Sequence, residues 1–121
     1  MSRQPNYLKD SISNGNPREQ ALIRRWWAEE QGSKGLLVWE YYIDGRYADC
    51  LWFLDDIRDG QEASGKQSSG TFPLTGRRIV LCEAKHDLNP EVIGQALVYS
   101  RFAIAAGGHL EKTIIFSETA S

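Results

Sequence analysis

A chain of 121 residues, 41% hydrophobic and 25% charged, has the size and composition of one soluble globular domain that can bury its own core. A net charge of −2 and a sequence pI of about 5.7 argue against a protein that binds by coating a long duplex with Lys and Arg. Cys50 and Cys82 form no CxxC or zinc-like spacing with the two histidines, so both are expected as buried free thiols. The apolar runs are too short to cross a bilayer and the N-terminus lacks a secretory stretch, so the expectation is a cytoplasmic protein with no membrane contact.

Residues 1–15 are polar and aperiodic, and read as a flexible leader before a single domain over 16–121. Asn16-Pro17 supplies an N-cap and first-turn proline, with Glu19 at capping-box spacing. The helix it opens should end near Gly32, with Leu22, Ile23 and Trp26 on its apolar side and Trp27 doubtful there. Leu36 to Ile43 is aromatic and branched and predicts a strand; Asp44-Gly45 predicts a hairpin into a second strand from Arg46 to about Leu54. Residues 55–76 are rich in Gly, Ser and Asp, and read as a mobile loop or hairpin insertion; a flap carrying Arg58 and Lys66 is the functional alternative. Arg78 to Lys85 predicts a third strand, and Asn89-Pro90 opens a second helix running to about Ala106 with Ile93, Leu97, Ser100 and Ile104 along one face. His109 reads as a loop residue and Lys112 to Phe116 as a fourth strand. The order α-β-β-β-α-β predicts an α/β fold, a mixed central sheet flanked by helices.

Side chains alternate across a strand, so Glu83 and Lys85 share one face of the third strand while Cys82 and Ala84 share the other. Asp49 is likewise a lone acid on the second strand, grouped by alternation with Leu51 and Phe53 and opposite to Ala48, Cys50 and Trp52. If the two strands are neighbours, Asp49 and Glu83 converge. A partly buried ion pair with Lys85 is one reading. Two carboxylates against one lysine leave excess negative charge, however, and an oxygen-rich site of that kind suits Mg²⁺ or Mn²⁺.

Asp49 followed at a distance by Glu83-Ala84-Lys85, between a helix and hairpin before and a helix after, resembles the PD-(D/E)xK nuclease superfamily. Gln95-Ala96-Leu97-Val98-Tyr99 resembles the QxxxY motif of its RecB-type members, and Glu19 resembles the acidic residue on the first helix of resolvase-like members. The resemblance spans about residues 17–117, and departs in having Ala48 where the family's proline would stand. It implies a restriction-endonuclease-like fold and a Mg²⁺- or Mn²⁺-dependent nuclease, foremost a DNA endonuclease. It also implies the site. Asp49, Glu83, the Ala84 carbonyl and, in resolvase-like members, Glu19 would hold the metal. Lys85 and Gln95 would act on water and phosphate, with Arg46 and Tyr99 at the substrate; capping remains the other reading of Glu19, and bracing Asp49 the other reading of Arg46. Implied partners are nucleic acid, DNA above all, and a second copy or a partner subunit. A non-catalytic nucleic-acid-binding or regulatory module on the same fold is the alternative.

Overall fold

The computed structural model describes residues 16–43, 45–66 and 72–119; the expected leader therefore lies outside the described residues. Helix α1 (Pro17–Gln31) starts as its sequence predicts, with Asn16 Oδ1 accepting the N–H groups of Arg18 at 3.0 Å and Glu19 at 3.3 Å. Gly32 ends it in the left-handed region. Its buried face is turned slightly from the expected one: Gln20, Ile23 and Trp27 are buried, while Leu22 and Trp26 are half-buried. Trp27, the doubtful residue, is held because its indole N–H donates to the Lys34 carbonyl at 2.7 Å, which also accepts Trp52 Nε1 at 2.6 Å.

Strands β1 (Leu36–Ile43) and β2 (Arg46–Phe53) pair antiparallel as the expected hairpin, of whose turn Asp44 lies outside the described residues. A further strand, β3 (Gln61–Ser64), pairs parallel to β1 at the sheet edge. Strand β4 (Arg78–Asp87) runs antiparallel to β2. Helix α2 (Pro90–Ala105) then leads to β5 (His109–Thr119), parallel to β4. The result is a five-stranded mixed sheet in the order β3-β1-β2-β4-β5, and the chain order is α-β-β-β-β-α-β.

Three expectations need correction. Residues 55–66 are not a featureless loop, because β3 lies within them. Gln-Glu-Ala-Ser carries no β-branched or aromatic signal; it is held by pairing and by Glu62, whose Oε1 accepts from Arg24 Nε at 2.8 Å and Trp39 Nε1 at 2.7 Å. Arg58 is bound to buried Asp56 at 2.8 Å, which Arg77 also meets at 3.0 Å, so it serves this loop's own fold. His109 opens β5, its N–H donating to the Arg77 carbonyl at 2.8 Å. On α2 the buried residues are Val92, Ala96, Tyr99, Ser100 and Ala103, whereas Ile93, Leu97 and Ile104 stay exposed.

The helices cover opposite faces. Ile23 and Trp27 of α1 pack with Leu37, Trp39, Cys50, Trp52, Val80, Cys82 and Ala84. Tyr99 and Ala103 of α2 pack with Leu36, Val38, Leu51, Phe53, Ile79 and Leu81. Fully buried side chains such as Phe53, Leu51 and Leu81 each contribute roughly 1.5–3 kcal/mol. No described helix is long and apolar enough to cross a membrane.

Alternation breaks at one level of the hairpin. Leu36 and Val38 join the α2-side core, but so do Tyr41 and Ile43, which differ from them in parity. On β2 the same skip separates Leu51 and Phe53 from Ala48. The register holds on both sides, with Trp39 opposite Cys50 and Tyr41 opposite Ala48, so the break lies at Glu40 and Asp49. Glu40 has φ 53, in the left-handed region that a non-glycine residue rarely adopts.

Candidate active site

The ladder between β2 and β4 runs from Phe53↔Ile79 to Cys50↔Cys82. At the next residue carboxylates take over from the backbone. Asp49 Oδ2 accepts the N–H of Ala84 at 2.8 Å, and Glu83 Oε2 accepts the N–H of Asp49 at 3.3 Å. Each acid thus satisfies a backbone donor of the other strand. The expected meeting of Asp49 and Glu83 is present, but not by the expected alternation. Asp49 leaves the Leu51–Phe53 face at the break and lines a cavity on the α1 side.

Glu83 is 2% exposed, and among the described residues its Oε1 has no hydrogen-bond partner. Burial, then the charge of Asp49 and a hydrogen bond to it, push the Glu83 carboxyl far above the usual carboxylate range; Lys85 offsets only a little. Glu83 therefore keeps its proton at neutral pH in the metal-free chain. A buried carboxyl oxygen without a donor is costly, and a cation beside it would supply the missing partner.

The α1-side cavity has a volume of about 20 Å³, room for roughly one water-sized occupant, and is lined by Glu19, Gln20, Trp39, Glu40, Asp49 and Ala84 among others. Glu19, Asp49 and Ala84 therefore border one cavity. Lys85 is half-buried and lines a separate cleft with Gln95, Asn89, Glu91 and Val92 at the start of α2. Tyr99 is buried; burial first, then Glu83, raise its hydroxyl pKa, and Arg46 acts in the opposite direction, so both groups lie within electrostatic reach. Arg46 itself is exposed at the start of β2.

Glu40 was not among the expected site residues. Burial raises its carboxyl pKa; Lys66 lowers it, Asp49 raises it and Lys85 lowers it, which places Glu40 in the same charge cluster. The signal was available: Glu40 is a lone acid in an aromatic and branched strand, the same anomaly that singled out Asp49. Lys66 joins the site through Glu40, although residues 67–71 of the expected flap lie outside the described residues. Cys50 and Cys82 are buried free thiols, with burial the main cause of their raised pKa.

Among the described residues, no three His, Cys, Asp or Glu side chains gather closely enough to hold a metal ion by themselves. Two carboxylates and a backbone carbonyl are nevertheless a donor set of the kind Mg²⁺ takes, since Mg²⁺ commonly uses one or two protein carboxylates and fills its remaining positions with water and phosphate. The orphaned Glu83 oxygen fits that donor set. No family model, curated protein or solved structure matches the chain.

Proposed function

We propose that the chain is a Mg²⁺- or Mn²⁺-dependent nuclease of the PD-(D/E)xK type, with a restriction-endonuclease-like arrangement, acting on DNA as an endonuclease. The observation that carries this reading is the strand fork, where buried Glu83 presents an unpartnered oxygen next to Asp49, with Lys85 two residues on along the same strand.

Asp49, Glu83 and the Ala84 carbonyl would hold the cation, with Glu19, which lines the same cavity as Asp49, as a further ligand. When bound, such an ion lowers the pKa of water and neutralises charge on a phosphate oxygen. The chain's own groups do the rest. Lys85 presents an ammonium to the negative charge that grows on the phosphate oxygens as water attacks in line. Gln95, lining the same cleft, orients that water or a phosphate oxygen by hydrogen bonding. Tyr99 braces the site from the α2-side core, and Arg46 at the rim contacts the substrate backbone.

Supercoiled plasmid, linear duplex, branched DNA and RNA should be offered with Mg²⁺ or Mn²⁺, with Lys85→Ala alongside. Metal-dependent nicking of plasmid, lost in the variant, is expected. Digestion only from ends would overturn the endonuclease reading, and cleavage of RNA alone the DNA reading. If no substrate is cut, Mn²⁺ binding that needs Asp49 would point to a nuclease subunit lacking its partner or substrate, and no Mn²⁺ binding to a non-catalytic module.

A further inference from the structure

The β1–β2 hairpin reaches past the point where β4 leaves it. β2 pairs with β4 from Cys50 to Phe53, whereas its pairing with β1 continues to Ile43↔Arg46. Arg46 to Ala48 therefore form one lip of the fork. At this end of the hairpin Tyr42 and Tyr47 stand directly opposite each other, their rings 5.3 Å apart and inclined by 63°. They are 41% and 43% exposed. An edge-on contact of this kind steadies both rings and leaves a π-face open to a third.

The break at Glu40 and Asp49 sets the direction of the two rings. Beyond it, Tyr41, Ile43 and Ala48 join the α2-side core, so Tyr42 and Tyr47 take the α1 side, where Glu40 and Asp49 line the cavity. Unbroken alternation would have carried both tyrosines into the α2-side core with Val38 and Leu51. The left-handed backbone of Glu40 thus turns the aromatic pair and the acids to one face. Tyr47 is two residues from Asp49, and Tyr42 two from Glu40, about 7 Å along each strand.

Cations lie on the opposite face. Lys85 shares a cleft with Gln95 of α2, and Arg46 acts on Tyr99 in the α2-side core. A nucleotide whose phosphate meets Lys85 or Arg46 reaches the tyrosines by passing its base across the free edge of β2. A base held in a duplex stack has no such freedom, and an unpaired base does. The net charge of −2 agrees, because stacking on aromatic rings supplies affinity that coating a duplex would have to draw from Lys and Arg.

We infer that Tyr42 and Tyr47 form a stacking platform for an unpaired base beside the cleaved bond, so that the preferred substrate is DNA with single-stranded character at the site of cleavage. The inference rests on the nuclease reading in taking DNA as the substrate, and it is tested by binding, so the two fail separately. A fluorescein-labelled oligothymidylate of about 20 nucleotides and a blunt duplex of the same length are titrated with the full chain, Ca²⁺ replacing Mn²⁺, and anisotropy is read. The single strand should bind about tenfold or more tightly than the duplex. Tyr47→Thr, which keeps a strand-forming residue and removes the ring, should weaken single-strand binding by about tenfold, whereas Tyr47→Phe should retain it. Equal binding of the two probes, binding of neither, or a single-strand affinity unchanged in Tyr47→Thr would overturn the platform. So would a loss in Tyr47→Phe as large as that in Tyr47→Thr. Plasmid nicking by the wild type beside any of these results leaves the nuclease reading in place, and ring-dependent binding without cleavage supports the platform and counts against that reading alone.

Discussion

Replacing Glu83 by Gln tests the electrostatics of the fork without any substrate or metal. In the unfolded chain Glu83 ionises near 4.5, whereas in the fold burial and Asp49 hold its proton to well above neutrality. The folded state then binds one proton more than the unfolded state between these values, so stability is fully present below the unfolded value and declines as pH rises through the folded one. Each pH unit across that window is worth about 1.4 kcal/mol, which makes the penalty about 3 kcal/mol by neutral pH. The substituted amide would keep an oxygen for the Asp49 N–H, and it cannot ionise. Urea unfolding in chelator at about pH 5.5 and about pH 8 should show the wild type losing stability relative to Glu83→Gln by a few kcal/mol. Asp56, whose carboxyl the Arg58 guanidinium holds well below the usual range, produces the opposite slope, but only as pH falls through the acid region below that window. A wild type that gains stability over the variant as pH rises would show that Glu83 is not held protonated in the fold.

Mn²⁺ titrated calorimetrically in buffers of different ionisation enthalpy should release close to one proton at neutral pH and bind more tightly as pH rises, because Glu83 must give up its proton. Asp49→Asn should abolish that binding while the circular-dichroism spectrum holds. Asp56→Asn removes the buried centre of an ion network whose partners Arg58 and Arg77 are partly exposed, and should cost about 2 kcal/mol in denaturant unfolding. Gly35→Ala should cost at least about 2 kcal/mol in the same assay. Gly35 sits at φ 72, and an added Cβ would lie 2.2 Å from the Phe53 carbonyl oxygen.

Much of this could be read from local chemistry. Asn16-Pro17 and Asn89-Pro90 each announced a helix, and both caps are present. Asp49 and Glu83 stood out as acids inside apolar strands, and they do meet. What failed was inference from strict periodicity. The break at Glu40 and Asp49 turns both strands over while preserving their register, so alternation assigned Asp49 to the wrong side and gave no reason to include Glu40. On α2 the more hydrophobic residues were assigned to the core, but small Ala96 and Ala103 let the helix approach the sheet, leaving Ile93, Leu97 and Ile104 outside. β3 depends on pairing with β1 and on Glu62 reaching Arg24 and Trp39, contacts that no local pattern encodes.

The fork of β2 and β4 is the part of the chain that we propose cleaves phosphodiester bonds with a divalent cation. The most direct measurement is the rate of supercoiled-plasmid nicking by the wild type and by Lys85→Ala, at Mn²⁺ concentrations that saturate both by calorimetry. Nicking should require Mn²⁺ and fall by about a hundredfold or more in the variant, with Mn²⁺ affinity little changed. Nicking that persists in chelator, or that is equal in the two proteins at equal Mn²⁺ occupancy, would contradict that proposal.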